Sequence, residues 1–367
     1  MLDGRHPLAI AGGGMAGLVA AARLRELGVR ARVDEKGTRP GGSMLLSSCV
    51  IWRHRDWDDF RRECPDGDPI LQRLVWSRLD DALRWLTGQG AEPVALDTGN
   101  PLTTGWRFEP AALTRALAAR AAEIRLGTPA SPAVRPLILC TGGFGGSAEL
   151  VARHIRPAAP LRLRANPWSQ GDGLRAGLER GGAPSDGLDQ FYGRNMPDAP
   201  WDETQLVALS QLYARFARIF DMNGVEFFDR GDVSWSENNV VAATARRPAA
   251  SAFYLLDEQA LAQAVRERTV AEIVAAAPAG ARVAPEELPF AAPAGTVAAV
   301  RVRAAITHTI GGLRVDERAR VVDAAGSPVD GLRAAGVDAG GVATGGYASG
   351  LAQALVLGLV AAEDAAG

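Results

Sequence analysis

The sequence of 367 residues has one lysine, Lys36, so arginine supplies nearly all of its positive charge. Its formal net charge is −2 at pH 7, and no block of like charges interrupts the chain. Nucleic acids and anionic membrane surfaces attract basic patches, which a chain of this kind does not offer. We therefore expect neither of them as a partner.

Long apolar runs are also missing, because no stretch reaches the roughly 18 residues that a membrane helix needs. Residues 1–7 lead straight into a predicted strand, without the apolar core of a signal peptide. The three cysteines, Cys49, Cys64 and Cys140, form neither a CxxC pair nor a disulfide framework, which suits a reducing compartment. These absences predict a cytoplasmic protein that is not inserted in a membrane.

The composition that remains, with 47% hydrophobic and 22% charged residues, predicts a sizeable core in one large or two intermediate domains. Apolar periodicity and turn residues predict the main elements. These are strands over 8–11, 29–34, 137–140 and 253–255, and helices over 16–27, 59–90, 111–125 and 351–366. The opening strand–helix–strand order calls for a parallel sheet.

A glycine motif, Gly12-Gly13-Gly14-Met15-Ala16-Gly17, joins the first predicted strand to the first helix. It fits the GxGxxG pattern, and an acidic residue, Glu35, follows the second strand. In this context the pattern predicts a dinucleotide site. Gly12 allows a tight turn, Gly14 lets the backbone approach a pyrophosphate, and Gly17 lets the helix pack closely. The helix N-terminus would bind the phosphates, and Glu35 the ribose hydroxyls.

The segment after the second strand favours FAD over NAD. Residues 39–48 carry glycines and hydroxyl groups where an NAD-binding domain usually continues into another helix. A second glycine cluster, 142–146, has no following strand that ends in an acidic residue. We therefore assign it to the same FAD site rather than to a second nucleotide.

At this point the sequence resembles the superfamily of FAD-dependent fumarate reductases and 3-ketosteroid dehydrogenases. The resemblance extends over most of the chain. It lies in the following segments: AGGGMAGL (11–18), GGSMLLSS (41–48), CTGGFGG (140–146), NPWSQGDG (166–173), FDMNGVEFF (220–228), HTIGG (308–312), GLRAAGVDAGG (331–341) and GYASGLAQA (346–354).

The resemblance implies how FAD would be held. Gly41 to Ser43 would line the flavin and pyrophosphate, Asp338 would bond the ribityl chain, and Asp172 would have a structural role. Residues 350–352 would place a helix N-terminus at the flavin pyrimidine edge, where reduced flavin carries negative charge. Together, the motif and the resemblance predict FAD contacts from Gly12, Gly14, Met15, Ala16, Gly17, Glu35, Lys36, Gly41, Gly42, Ser43, Met44, Ser48, Thr141, Gly142, Asp172, Asp338, Gly350, Leu351 and Ala352. No histidine lies in the GGS segment, so we expect non-covalent FAD.

The residue before the last helix distinguishes two branches of this superfamily. Fumarate reductases carry an arginine there that clamps a carboxylate, whereas this chain has Tyr347, with Ser349 two residues later. A second carboxylate-binding arginine is also missing near residues 237–239. A dicarboxylate favours bidentate arginine partners, so the sequence resembles ketosteroid-type dehydrogenases more than fumarate reductases.

In ketosteroid-type dehydrogenases a tyrosine takes a proton next to a carbonyl while a hydride leaves the neighbouring carbon for flavin N5. Tyr347 would be that proton acceptor. Because a phenol with a pKa of about 10 is a poor base at neutral pH, Ser349 could act as a relay. His308, in the HTIGG segment, is expected to line the active site.

Other candidates are few, since the chain has only four histidines and four tyrosines. Tyr192 and Arg194 fall where fumarate reductases carry a substrate-binding histidine, and either could bind a carbonyl or carboxylate. Tyr213 and Tyr254 are expected to be structural. His54 and His154 lie in arginine-rich stretches that we expect to be solvated.

The sequence as a whole predicts an α/β flavoprotein, with a Rossmann-like FAD-binding domain containing a parallel sheet, and an α+β cap domain for the substrate. The FAD domain would comprise residues 1–190 and 300–367, and the cap residues 191–299, which would close over the flavin. We expect α,β-dehydrogenation next to a carbonyl of a small, cyclic organic substrate. The reverse reduction of an activated C=C bond, or a flavin protein that only carries electrons, are the alternatives. The electron acceptor would be oxygen, a quinone or a soluble carrier.

Overall fold

The structure is a computed structural model that describes residues 7–129, 131, 133–134 and 137–367. Predictions for residues 1–6 and for part of the link before residue 137 lie outside the described residues. The strands are β1 (Leu8–Ala11), β2 (Ala31–Asp34), β3 (Val50–His54), β4 (Pro93–Ala95), β5 (Thr103–Phe108), β6 (Ile124–Arg125), β7 (Leu137–Leu139), β8 (Arg162–Leu163), β9 (Phe191–Pro197), β10 (Arg218–Phe220), β11 (Glu226–Phe228), β12 (Ser251–Leu256), β13 (Ala264–Val265), β14 (Arg268–Thr269), β15 (Arg282–Val283), β16 (Ala298–Thr309), β17 (Arg320–Val322) and β18 (Pro328–Ala334). The α-helices are α1 (Met15–Glu26), α2 (Trp57–Glu63), α3 (Pro69–Gly88), α4 (Pro110–Ala118), α5 (Ala148–His154), α6 (Asp172–Glu179), α7 (Asn238–Ala245), α8 (Glu258–Leu261), α9 (Val270–Ala276) and α10 (Gly350–Ala366).

The chain divides into two compact units. The first unit comprises residues 1–147, 166–190 and 308–367, and the second comprises residues 148–165 and 191–307. The second unit therefore includes residues 148–165 and 300–307, which the sequence-based ranges assigned to the FAD domain. The reason is strand pairing, since β8 pairs in parallel with β16 and places Arg162 opposite Ala305.

The first unit contains a six-stranded sheet in the order β17-β18-β7-β1-β2-β6. All neighbours in it are parallel except β17 and β18. Its central strands β1 and β7 are fully buried, as a parallel sheet requires. A second, antiparallel sheet has the order β3-β5-β4. The α/β fold class with a parallel Rossmann-type sheet, predicted from the sequence, is confirmed.

The predicted helix over 59–90 is wrong as one element, because it consists of α2 and α3. The segment Cys64-Pro65-Asp66-Gly67-Asp68 separates them. Asp68 is the N-cap of α3, and its carboxylate accepts the amides of Ile70 at 2.8 Å and Leu71 at 3.1 Å. Pro69 occupies the first helical position, where its missing N–H has no cost.

The predicted helix over 111–125 is too long, since α4 ends at Ala118. Residues Ile124 and Arg125 instead form β6, which pairs in parallel with Val33 and Asp34 of β2. Here pairing at the edge of the sheet overrides the helix propensity of an alanine-rich segment. The last helix was placed within one residue, and α10 packs against α1 and α3 in the first unit.

The second unit is built on a seven-stranded sheet with the path β11-β10-β12-β16-β15, and β8 and β9 also pair with β16. Strand β12 is buried along its whole length, as expected for the predicted strand at 253–255. Tyr213 and Tyr254 lie in its core with ring centroids 5.6 Å apart, as expected for structural residues. Across the described residues, none of the helices combines the length and apolar character needed to cross a bilayer.

Candidate active site

The loop between β1 and α1 has the backbone that the glycine motif predicts. Gly12 has a φ of 100°, and a Cβ on it would overlap the carbonyl oxygen of Cys140 at the end of β7. A Cβ on Gly17 would overlap the carbonyl oxygen of Gly12, so this glycine closes the turn. Gly14 has no atom within 4 Å of its Cβ position, which leaves open space for a ligand next to its backbone.

The first turn of α1 is an anion site that the protein itself does not fill. Its N-cap, Gly14, makes no side-chain cap hydrogen bond, and the turn contains no acidic residue. The amides of Met15, Ala16 and Gly17 therefore precede the first helical hydrogen bond, from Leu18 N to Gly14 O at 3.0 Å. These donors and the positive end of the helix dipole suit a pyrophosphate.

A second glycine loop lies against the first. Gly41 N donates to Gly13 O at 2.7 Å, and a Cβ on Gly42 would stand 3.1 Å from the Cα of Gly14. Ser43 Oγ accepts the amide of Asn166 at 3.2 Å. The structure thus brings the predicted GGS residues to the mouth of α1, whereas Met44 is buried and Ser48 is exposed.

Glu35, at the end of β2, is buried and oriented by the same loops. Its carboxylate accepts the amides of Gly13 and Gly37, each at 2.6 Å. Each carboxylate oxygen keeps a further lone pair with which it can accept a ribose hydroxyl. The Lys36 ammonium is engaged by side chains of this unit rather than left for a phosphate, since it lies 2.8 Å from Asp172 Oδ2 and 3.0 Å from Gln170 Oε1.

Trp168 is a residue of this region that the sequence reasoning missed. It is 39% exposed, and a Cβ on Gly37 would stand 2.7 Å from its Cδ1 and 2.8 Å from Glu35 Oε1. The indole therefore lies next to the carboxylate that the motif assigns to the ribose. An aromatic residue after Asn-Pro in the 166–173 segment was the signal that could have found it.

Asp338 anchors the loop that follows β7. Its carboxylate, 1% exposed, accepts the amide and hydroxyl of Thr141 and, at 3.2 Å, the amide of Gly143. Burial raises the pKa of Asp338, and the hydrogen bonds from Thr141 and Gly143 partly offset this. Gly142, at a φ of 91°, lies so close that a Cβ would press on Ser169 Oγ. The segment after β7 and the segment containing Asp338, both of which the resemblance assigned to FAD binding, are thus hydrogen-bonded to each other.

The N-terminus of α10 is capped by Ser349. Its hydroxyl oxygen accepts the amide of Ala352 at 3.2 Å and lies 3.5 Å from the amide of Trp52. The amides of Gly350 and Leu351, which come earlier in the first turn, stay outside the helical hydrogen-bond pattern. These are the donors predicted for the flavin edge.

Gln353 fixes this helix end to the rest of the unit and was also missed. Its side-chain nitrogen donates to the carbonyl oxygens of Gly336 at 2.8 Å and Ala339 at 2.5 Å. These residues flank Asp338. Gln353 therefore supports both of the predicted flavin contacts, which are Asp338 and the first turn of α10. The signal in the sequence was a glutamine inside the apolar part of the helix, residues 350–362.

His308 lies beside the start of α10. Its Nδ1 is 3.1 Å from the carbonyl oxygen of Thr309, which can only accept, so Nδ1 carries the proton and Nε2 is the acceptor. A Cβ on Gly350 would stand 3.0 Å from that Nε2. Burial lowers the pKa of His308, which keeps the ring neutral at neutral pH.

Tyr347 is half-buried and packs against Trp52 with ring centroids 5.4 Å apart at 61°. The structure thus brings Tyr347, Ser349 and His308 to one end of α10 in the first unit. The expectation that His54 is solvated is wrong, because it is 2% exposed. It follows Trp52 by two residues on β3 and therefore points to the same face.

Tyr192 and Arg194 belong to β9 in the second unit. The Arg194 guanidinium lies over the Tyr192 ring, 5.0 Å from its centroid, and donates to the carbonyl oxygen of Ser236. The neighbouring Glu237 is buried, which raises its pKa to about 7, while the charge of Arg194 acts in the opposite direction. Arg194 is therefore already engaged by groups of its own unit.

These features define a dinucleotide-binding protein, with two glycine loops against an uncapped helix N-terminus and an acidic residue at the end of the second strand. The model of the family described as "FAD binding domain" matches residues 120–351, and that of the "NAD(P)-binding Rossmann-like domain" matches residues 10–48. The chain belongs to the FAD binding domain family. FAD is thus confirmed as the cofactor, and its non-covalent attachment stays a prediction.

Solved structures share the fold across 98% of this chain. A flavocytochrome c3 fumarate reductase in its open conformation is 19% identical, with a TM-score of 0.72 and 78% of its own chain covered. The 3-ketosteroid Δ1-dehydrogenase from Sterolibacterium denitrificans is 16% identical, with a TM-score of 0.71 and 99% covered. The 3-ketosteroid-Δ4-(5α)-dehydrogenase from Rhodococcus jostii is 16% identical, with a TM-score of 0.65 and 96% covered. No curated protein matches the sequence. The superfamily resemblance is confirmed, and its two branches match this chain about equally well.

Proposed function

We propose that this flavoprotein is an oxidoreductase acting on CH–CH bonds, and that it dehydrogenates a small, cyclic organic substrate next to a carbonyl. The observation that carries the proposal is the position of Tyr347 just before the capped N-terminus of α10. A dicarboxylate substrate would need an arginine at this position to clamp one of its carboxylates. Bound FAD would supply the acceptor for the hydride. The residues of this chain would bind the carbonyl, exclude water and take the proton.

Tyr347 is the proposed proton acceptor. A phenol is a poor base at neutral pH, so it needs a site that stabilises negative charge. The positive end of the α10 dipole, next to Tyr347 in sequence, is the proposed source of that stabilisation, while the amides of Gly350 and Leu351 are left for the flavin edge. His308, neutral and with Nε2 as an acceptor, is the second proposed active-site group, and it would orient the substrate without adding a positive charge.

The proposed substrate is neutral rather than anionic. Arg194 is engaged by the Tyr192 ring and the Ser236 carbonyl oxygen, and Glu237 lies close enough to interact with its charge. A cation that is compensated in this way attracts a carboxylate substrate less strongly. One ketosteroid dehydrogenase that shares the fold was solved with 1,4-androstadiene-3,17-dione, a cyclic carbonyl compound of the proposed class.

The test is the Tyr347→Phe variant. An anaerobic screen of cyclic ketones, monitored through bleaching of the flavin absorbance, first identifies a substrate. The variant should bind FAD as the parent does, while turnover falls by roughly tenfold or more, the usual size of an acid–base contribution. Tyr213→Phe is the matched control, because the Tyr213 hydroxyl bonds Gln211 in the core of the second unit, and its turnover should stay unchanged. Equal turnover of Tyr347→Phe and the parent protein would exclude the proton-transfer role.

A second candidate function is reduction of an activated C=C bond, favoured by the fold that the chain shares with a fumarate reductase. The same site geometry serves both directions. Anaerobic mixing of the chemically reduced protein with enones distinguishes them. Rapid recovery of the oxidised flavin spectrum would favour the reductase, whereas bleaching by saturated ketones alone would favour the dehydrogenase.

A further inference from the structure

Gln72 is a buried glutamine at the end of the first turn of α3 that the mechanism above does not use. Its side chain is 0% exposed. Its Nε2 donates to the carbonyl oxygens of Cys64 and Val342, each at 2.9 Å, and its Oε1 accepts a guanidinium N–H from Arg61 of α2. A primary amide has two N–H donors, so this side chain uses both of them. Loss of the amide would remove a buried donor from two carbonyl groups, which is costly.

The two carbonyl groups belong to segments that are far apart in sequence. Cys64 is the C-cap of α2 and opens the link 64–68 that separates α2 from α3. Val342 is 270 positions from Gln72 and lies five residues before Tyr347, in the segment that leads into α10. The Gln72 amide therefore joins the link to the segment that carries the proposed proton acceptor.

The link is shaped to receive this amide. A Cβ on Gly67 would overlap Gln72 Nε2 and would stand 2.7 Å from the Val342 carbonyl oxygen, so only glycine leaves room for their hydrogen bond. Arg61 donates to the carbonyl oxygens of Gly67 at 2.8 Å and Pro65 at 2.9 Å. One guanidinium thus orients both the main chain of the link and the side-chain oxygen of Gln72.

Main-chain contacts bring the same two segments together at both ends. At one end, the Asp68 amide donates to the carbonyl oxygen of Gly341 at 2.7 Å. At the other end, a Cβ on Gly346 would overlap the carbonyl oxygen of Glu63, so the two backbones are in direct contact there. Residues 341–346 therefore lie along the link, and Gln72 bonds the chain between these two contacts.

We propose that Gln72 is a positioning residue that holds residues 341–346 against the link and thereby places the Tyr347 phenol before α10. The interruption between α2 and α3 then has a role in the site, because it supplies the main-chain groups on which this segment rests. The proposal rests on the proposed function only in its effect on turnover, since the placement of the phenol can be measured without substrate. Misplacement of a reacting group by about 1 Å can cost on the order of a hundredfold in rate.

The experiment uses the FAD-loaded protein with tyrosine rings labelled with carbon-13. The chain has four tyrosines, so the ring spectrum has few signals, and Tyr347→Phe identifies the signal of Tyr347. That signal reports the position of the ring, because Trp52 lies 5.4 Å away between ring centroids. Gln72→Met keeps the length of the side chain without its donors. Gln72→Glu can still accept from Arg61, but it turns an oxygen toward the two carbonyl groups.

The matched control is Gln89→Met. Gln89 is a second buried glutamine, at the other end of α3, and its Nε2 donates to Glu26 of α1 at 2.5 Å. This variant also removes a buried amide from α3, but at a distance of 17 residues along the helix from the link. A change that merely reflects a weaker α3 would therefore occur in the control as well.

We expect both Gln72 variants to move the Tyr347 signal while the signals of the other three tyrosines stay in place. Turnover should fall by roughly tenfold to a hundredfold at unchanged FAD content. Gln89→Met should keep the signal and the turnover of the parent, even if its melting temperature falls. If Gln72→Met does not fold, Gln72→Glu decides, because it matches the parent side chain in size and keeps the partner on α2.

A parent-like Tyr347 signal in either Gln72 variant would overturn the proposal, because the donated hydrogen bonds would then not be needed for the placement. An equal shift in Gln89→Met would also overturn it. A signal that moves in the Gln72 variants alone, while Tyr347→Phe keeps full turnover, would leave Gln72 as a positioning residue and remove the proton-acceptor role of Tyr347. The two failures are therefore distinguishable in one set of spectra and rates.

Discussion

At the scale of single residues, Trp168 is a side chain outside the glycine motif that we propose contributes to the nucleotide end of the site. The indole covers Gly37 beside the Glu35 carboxylate, where the motif places the adenosine half of the cofactor. Its remaining exposed surface is available to a ligand, because base–aromatic stacking needs only a free ring face.

We expect Trp168→Ala to weaken FAD binding roughly tenfold, since stacking of a base on an aromatic ring contributes about 1–3 kcal/mol. Titration of the apoprotein with FAD, followed by quenching of flavin fluorescence, measures the Kd. Trp168→Phe, which keeps an aromatic face, should bind nearly as the parent does. An unchanged Kd in the alanine variant would show that the indole only shields Gly37.

The sequence predicted best those residues at positions where the backbone geometry permits only glycine. Gly12 and Gly17 are required by a turn in which any side chain would overlap a carbonyl oxygen, and such a requirement is visible in a motif. The environment of His54 was not visible, because its burial depends on packing against the rings of Trp52 and Phe60, which only the fold brings together. Local composition suggested solvent, while the alternation of β3 placed the ring inside.

At the scale of elements, the first turn of α10 is where the proposed chemistry would take place. Ser349 caps that turn, and Gln353 ties it to the segment containing Asp338. The sequence-based proposal of Ser349 as a proton relay and its observed capping role use the same hydroxyl, in which the oxygen accepts and the proton stays available to donate. The two roles are separable by substitution.

Ser349→Ala should lower the free energy of unfolding by about 1 kcal/mol, the usual cost of losing a cap, as measured by urea denaturation of the apoprotein. Ser349→Asn can still cap the helix but has no hydroxyl, so its stability should stay close to that of the parent. A loss of turnover in Ser349→Asn at full FAD content supports the relay. Full turnover in that variant would leave Ser349 with capping alone.

Elements were predictable where a local signal sets their ends. Strand β1 matches its prediction, and α1 and α10 match theirs to within one residue. The helix predicted over 59–90 failed at the Pro65–Asp68 segment, where Asp68 starts a new helix. The helix predicted over 111–125 failed because β2 recruits Ile124 and Arg125. That pairing joins residues about 90 positions apart, and no local pattern reports it.

At the scale of the whole molecule, both units bury ionisable groups whose pKa values are shifted by burial. In the first unit, burial lowers the pKa of His54 and His308 and raises that of Asp338. In the second unit, burial raises the pKa of Glu237 from 4.5 to about 7. A histidine whose pKa is lowered by folding and a carboxyl whose pKa is raised make folding stability depend on pH with opposite signs.

At His54 and His308, the unfolded chain binds protons below pH 6.5 more readily than the folded chain does. Their contribution to stability is therefore full above that pH and is lost as the pH falls, while the raised pKa of Asp338 acts in the opposite direction. At Glu237, the folded form keeps the proton between pH 4.5 and about 7, where the unfolded chain has released it. The contribution of Glu237 to the stability of the second unit is therefore largest below pH 4.5 and falls as the pH rises to 7, by on the order of 3 kcal/mol.

We expect hydrogen exchange, resolved by peptide and corrected for intrinsic rates, to show the contribution of Glu237 between about pH 5 and pH 7.5. Peptides of the second unit that surround Glu237 should gain protection at the lower pH. Glu237→Gln should flatten the response of the second unit alone, because the amide cannot ionise. Glu286→Gln, which changes an exposed carboxylate of the same unit, should leave the response as it is. If the second unit kept its pH response in Glu237→Gln, another group would dominate that response. The charge of the buried Glu237 carboxylate would then be compensated by the arginines around it.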